Sequence, residues 1–197
     1  DSSVFNVFTM PFIEGNPDKA LAEPNKVVLT QSVAKKYFGD VSPIGKTIEW
    51  ANAELELEVT GVMEDCPKTS HFQYDFVLPF MGVENKLQDL YGDEYQEIEE
   101  SWFSLITFVY FKYDGKNGIK RFQNRLNADL TPVMDAEAEE LFAQSGAELH
   151  FKFQPIENIY LFSDYEFEIG EVTNSLYVFV FLGVALFILM ITVFNFM

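Results

Sequence analysis

The segment Gly39-Asp-Val-Ser-Pro-Ile-Gly45-Lys46-Thr47 is the strongest chemical lure in the sequence, since a glycine loop closing on Gly-Lys-Thr can cradle phosphate. Residue types alone do not make the cradle. A phosphate loop follows a strand and opens a helix, so that unpaired N–H groups and the helix dipole meet the anion. Here five residues separate the glycines, one more than such a loop has, and one of them is Pro43. The surrounding pattern also runs in the opposite order, with helix before and strand after. The segment reads as a turn, and no nucleotide site is assigned to it.

Cys66 and His71 lie five apart with Asp65 beside them, which raises a metal site. Zinc needs more protein ligands than this, and the only other histidine is the distant His150. A loop containing Pro67 and Ser70 accounts for these residues better. The sequence has no Gly-x-Ser-x-Gly elbow, and two histidines leave few bases to activate a nucleophile. Acidic groups recur at Glu54/Glu56/Glu58, Asp93/Glu94/Glu97/Glu99/Glu100, Asp135/Glu137/Glu139/Glu140 and Asp164/Glu166/Glu168. None has the spacing of a calcium loop, and most fall on faces that solvated charge explains. Catalytic, cofactor-binding and metal residues are therefore assigned as none, and the chain is read as a non-enzyme without a cofactor.

The elements around these residues say more about function. From Leu176 to Phe194 run nineteen residues without a charge, with only Gly183 and Thr192 interrupting the apolar character. As a helix this run spans roughly 28 Å, close to a bilayer core of about 30 Å. A buried helix of a soluble core seldom stays apolar on every face for so long. Residues 175–197 are therefore read as a transmembrane helix, and their C-terminal position excludes a cleaved signal peptide. The start at Asp1-Ser2-Ser3, and the end at Met197 without a basic flank, read as truncation at both ends.

All 31 acidic and 13 basic residues precede Val172, so the net charge of −18 belongs to the first 171 residues. The last basic residue is Lys152. Lys and Arg near a span mark its cytoplasmic side, and their absence places residues 1–171 outside the cytoplasm. So acidic a domain repels nucleic-acid phosphates and stands off from anionic lipid. The single Cys66 excludes an internal disulfide, leaving an apolar core, rich in the chain's 21 Phe, as the source of stability.

Along the chain, residues 4–13 look like a short amphipathic turn leading into an extended piece, followed by a loop with Gly15, Asn16, Pro17 and Pro24. Val27-Val28-Leu29 reads as a buried strand. Thr30 is expected to N-cap a helix through Phe38, with Gly39 ending it. Ile44–Trp50 and Leu55–Met63 form a predicted hairpin, in which Leu55, Leu57, Val59, Gly61 and Met63 share one face. Further strands are expected at Phe72–Leu78, Leu105–Tyr113 and Leu149–Phe153. Residues 81–100 read as helical or loose. Asn117 is placed to cap a helix striped by Ile119, Phe122, Leu126 and Leu130 and stopped by Pro132, and a second helix spans Ala136 to Gln144. The mixture indicates an α+β fold.

Taken in order, several of these segments resemble the periplasmic core domain of MacB-like and FtsX-like ABC transporter permeases, particularly those of Bacteroidetes. The resemblance is carried by Phe5-Asn-Val-Phe8 with Phe12-Ile-Glu-Gly15, by Val27 to Gly39, by Ser42 to Ile48, and by Val59-Thr-Gly-Val-Met-Glu-Asp65 running into Pro67 and Ser70-His71-Phe72. It resumes at Thr107–Lys112, Ile119–Leu130, Pro155–Leu161 and Asn195-Phe196, leaving 81–100 and 131–148 unmatched. It implies two α+β subdomains, with 26–99 as an inserted small subdomain and 1–25 and 100–171 as the membrane-proximal one. It also implies a position between a first transmembrane helix and a second, here 175–197. The same resemblance implies a cytoplasmic ABC ATPase as partner, a homodimer or pseudo-dimer of permeases, a bacterial inner (cell) membrane, and no catalytic residues to carry over.

Three functions compete at this point. The first is a permease domain coupling ATP hydrolysis by a separate subunit to export or mechanotransmission. The second is an extracytoplasmic sensor domain of a membrane signalling protein. The third is a membrane-anchored hydrolase using paired carboxylates. Further spans beyond Met197 favour the first, a kinase or cyclase module the second, and glycan-cleaving activity the third.

Overall fold

The computed structural model describes residues 3–51, 54–100, 108–115, 118–128, 136–146, 150–163, 168–170 and 172–196, with the side chains of 97–100, 136–139 and 141 left undescribed. It is an α+β fold. The chain runs α1 (Val4–Val7), β1 (Phe12–Gly15), β2 (Lys26–Thr30), α2 (Gln31–Phe38), β3 (Thr47–Trp50), β4 (Leu55–Met63) and β5 (Phe76–Val77). Then follow α3 (Phe80–Tyr91), α4 (Asp93–Glu100), α5 (Ile119–Ala128), α6 (Ala136–Ser145), α7 (Ile156–Phe162) and α8 (Ser175–Phe196). Contacts divide it into one unit of residues 1–67 and 74–150 and a second of 68–73 and 151–197.

The first unit is built on a mixed sheet in the order β1-β4-β2-β5. β2 and β4 are parallel, as a crossover through α2 requires, whereas β1 and β3 are antiparallel to β4. Thr47 pairs with Glu58 and Phe12 with Met63, so β3 and β1 lie along the same edge of the nine-residue β4, opposite β2. Both sheet faces are covered. Val27, Leu29, Val33, Ala34, Leu57, Val59 and Val62 form one core cluster, with α2 laid over the strands. Ala20, Leu21, Val28 and Met63 form the other, with Val4, Phe5, Met10 and Phe12 against them.

The expected hairpin is present, but its facing is not what strict alternation gives. The β2–β4 register slips between Val27 and Val28, which pair with Val59 and Gly61, so Thr60 is a bulge. That extra residue reverses the phase of the strand. Val62 joins the face of Leu57 and Val59, while Met63 turns to the opposite cluster. The Thr60 hydroxyl holds the bulge by donating to the Ala20 carbonyl at 2.6 Å.

Other expectations need correction. The strand expected at Phe72–Leu78 shrinks to β5, because it pairs only with Val28 and Leu29, and residues 68–73 group with the second unit. Residues 108–113 carry no regular secondary structure; their rings instead make edge contacts, Phe8–Tyr110 at 5.5 Å and Phe111–Phe122 at 6.2 Å. Aromatic content favours a strand only where a ladder forms. Residues 150–153 are likewise irregular. The remainder of both expected strands, together with Asn117, Leu130 and Pro132, lies outside the described residues. Residues 81–100 are helical, as α3 and α4.

Candidate functional site: a membrane helix and its connector

Among the described residues, α8 is the helix long and apolar enough to cross a membrane, with 22 residues and a mean hydropathy of 2.8 in its core window. At about 1.5 Å per residue it is roughly 33 Å long, matching the hydrocarbon thickness. Its side chains are not packed into a core: Phe181 is 71% exposed and Phe194 77%. Apolar surface on every side is stable in lipid and costly in water. The Thr192 hydroxyl, deep within the run, donates to the Ile188 carbonyl at 2.8 Å and so needs no water.

The described residues leading into α8 are hydrogen-bonded. The Asn174 side-chain oxygen accepts the Leu176 N–H at 2.8 Å, satisfying one of the free donors of the first turn. The Thr173 N–H donates to the Tyr160 carbonyl at 2.8 Å, and its hydroxyl meets the Tyr160 hydroxyl at 3.1 Å. The Ser163 hydroxyl donates to Glu168. These bonds fasten the connector to α7, whose Ile159 is buried.

The segment resembling a phosphate loop is a turn. Gly39 ends α2 with a left-handed φ of 66°, and Thr47 opens β3. The amides next to the lysine are already paired, since the Gly45 N–H donates to the Val59 carbonyl at 2.8 Å and the Lys46 N–H to the Pro43 carbonyl at 2.9 Å. Lys46 Nζ sits 5.2 Å from the Phe38 ring centre. The residues are thus used to join α2 to the sheet.

Asp65, grouped with Cys66 and His71 on sequence, serves a different purpose. Its carboxylate accepts the Ser32 N–H at 2.9 Å and the Ser32 hydroxyl at 2.5 Å, capping α2 from across the fold. Thr30, expected in that role, occupies the N-cap position but makes no side-chain cap bond. The Ser32 hydroxyl first, and its N–H second, hold the Asp65 carboxyl below the usual carboxylate range. A smaller lowering comes from Thr30, whose buried hydroxyl lies near Asp65 without meeting hydrogen-bond geometry. Tyr74 is pushed up by burial first and by neighbouring Cys66 second.

Among the described residues no group of His, Cys, Asp or Glu has the arrangement of a metal site. Of the acidic clusters, Glu58 pairs with Lys26 at 2.8 Å across β4 and β2. That bond, followed by the one to Glu23, raises the Lys26 pKa. Glu54 sits at the β3–β4 turn with φ of 50°. Asp135, Asp164 and Glu166 lie outside the described residues.

A mixed α+β domain tied by a short connector to a helix of membrane-spanning length defines the class as a membrane-tethered domain. The sequence pattern of the MacB-like periplasmic core domain matches residues 1–129, and the chain belongs to that family. Among solved structures, a domain of a candidate permease protein from Porphyromonas gingivalis is similar at 20% identity and a TM-score of 0.56. The match covers 88% of this chain and 63% of that one, so the present chain spans under two thirds of its relative. That likeness bears out the fold, and the source agrees with the Bacteroidetes resemblance.

Shorter matches link it to the periplasmic region of MacB from Actinobacillus actinomycetemcomitans (25% identity, TM-score 0.34, 44% of this chain and 38% of that one). A third is the extracellular domain of the noncanonic ABC-type transporter YknZ from Gram-positive bacteria (23%, TM-score 0.32, 47% and 44%). No curated protein matches.

Proposed function

We propose that this chain is the extracytoplasmic domain and adjoining span of an ABC transporter permease in a bacterial inner (cell) membrane, residues 1–171 facing the periplasm. It couples ATP hydrolysis by a separate cytoplasmic subunit to export or mechanotransmission, in a homodimer or pseudo-dimer of permeases, and performs no chemistry itself. The observation that supports this reading is a MacB-like family match over residues 1–129 followed in the same chain by α8, a helix of membrane-spanning length. The division into a small subdomain at 26–99 and a membrane-proximal one of 1–25 and 100–171 belongs to the same proposal.

The test is to isolate the full-length protein from its native membrane with a mild detergent. An ABC ATPase is expected to accompany it, while the purified domain binds no ATP by itself. Absence of any ATPase partner, or ATP binding that disappears with Lys46→Ala, refutes the reading.

A further inference from the structure

Residues 68–73 leave the sheet between β4 and β5, yet they group with the connector and α8. In that group two backbones approach closely at Gly170 and His71. A Cβ on Gly170 would overlap the His71 carbonyl oxygen and stand 3.3 Å from His71 Nδ1. Only glycine lets the connector lie on this loop.

Both sides of the contact are stiffened. In the loop, Gln73 Nε2 donates to the Ser70 carbonyl at 3.1 Å, and the His71 and Phe72 rings meet edge-on at 4.9 Å. In the connector, the Thr173–Tyr160 and Asn174–Leu176 bonds hold the chain where it enters α8's first turn. The loop is joined to β4 by Glu64–Pro67 and to β5 by Tyr74 and Asp75. Those joins are fastened as well, through the Asp65 cap on Ser32 and through the Asp75 carbonyl, which accepts the Thr30 N–H at 3.0 Å.

We propose that the seating of Gly170 on His71 is the joint through which displacement of α8 reaches strands β4 and β5. This rests on the permease reading above. A side-chain contact can absorb a small shift by changing rotamer, whereas a backbone pressed on a backbone passes the shift on. A slack linker would absorb it too, whereas the described residues of the loop and of the connector are hydrogen-bonded. Gly170 and His71 are positioning residues here, without contact to any transported molecule.

The experiment uses the full-length permease with its co-purified ATPase in lipid nanodiscs, with Cys66 as the only reactive thiol. Cys66 stands in the join between β4 and the loop, beside Tyr74, and its maleimide labelling rate reports movement there. In the parent the rate is expected to differ between ATP-loaded and nucleotide-free states. Gly170→Val, which cannot seat on His71, is expected to lose that difference while ATP hydrolysis persists. Two glycines inserted after Gln73 slacken the join to β5 without touching the seat, and are expected to lose it as well. Amide protection of β4 verifies folding, and the insertion decides the matter if Gly170→Val does not fold. A nucleotide-dependent rate retained in either folded variant overturns the joint and leaves the permease reading standing. A parent without nucleotide dependence also overturns the joint, whereas the permease reading falls only if no ATPase co-purifies.

Discussion

Replacing Asp65 with alanine removes two hydrogen bonds from the first turn of α2, the Ser32 N–H and hydroxyl, and one negative charge from the positive end of the helix. Loss of an N-cap interaction costs about 1 kcal/mol, and loss of the charge about 0.3–1 kcal/mol more. Asp65 is exposed, so water competes for its oxygens and salt screens the charge, which keeps the total near the lower part of about 1–2 kcal/mol. The cost reaches the core because α2 delivers Val33 and Ala34 to the cluster over β2 and β4. For a chain of this size a loss of about 1–2 kcal/mol lowers Tm by roughly 2–8 °C. Asp65→Asn keeps one acceptor oxygen for Ser32 and loses the second acceptor together with the charge, so it is expected to fall between.

The pH dependence has a definite sign. The folded carboxyl titrates below its reference value of 3.8, so the ionised cap's contribution is complete above that value and disappears as pH falls through the lower folded one. Thermal unfolding of the detergent-solubilised chain, followed by circular dichroism from pH 7 to 2.5, should show a gap between parent and Asp65→Ala that is constant near neutrality and narrows only in acid. A Ser32→Ala background should shrink the same gap. An Asp65→Ala protein melting with the parent at pH 7, or a gap unchanged in acid, would refute the capping argument.

Two further outcomes follow from the geometry. Gly15 holds φ of 95°, and a Cβ there would overlap the Thr60 carbonyl and stand 2.8 Å from Gly61 Cα; Gly15→Ala should destabilise by about 2–4 kcal/mol, with β1 amides exchanging fastest by hydrogen–deuterium exchange, and wild-type protection in β1 would contradict this. A chain ending after Asn174 is expected to stay soluble without detergent whereas the full chain needs it, and a soluble monomeric full chain with α8 protected from labelling would overturn the membrane assignment.

Local chemistry was enough for much of this fold. The span is legible because nineteen uncharged residues determine their own solvent, whatever the rest of the chain does. Strand β2, helix α2 and its end at Gly39 follow from the apolar run, the helical periodicity and the left-handed φ that glycine accepts. The turn at Gly39–Thr47 follows from the order of its neighbours. Family resemblance is carried by the order and spacing of short motifs along most of the chain.

What the tertiary structure decided lies where partners are distant in sequence. Period-two alternation places Met63 with Val59, but the Thr60 bulge, fixed by a carbonyl forty residues away, puts Val62 there instead. The rule for helix starts selects Thr30, but the acceptor that reaches Ser32 is Asp65, thirty-three residues on. Nothing within a turn of Gly170 shows why it must be glycine; the reason is the His71 carbonyl pressed against it. Periodicity and capping rules encode interactions between near neighbours, whereas bulges, cross-chain caps and backbone seats depend on which strands and loops the assembled fold brings together.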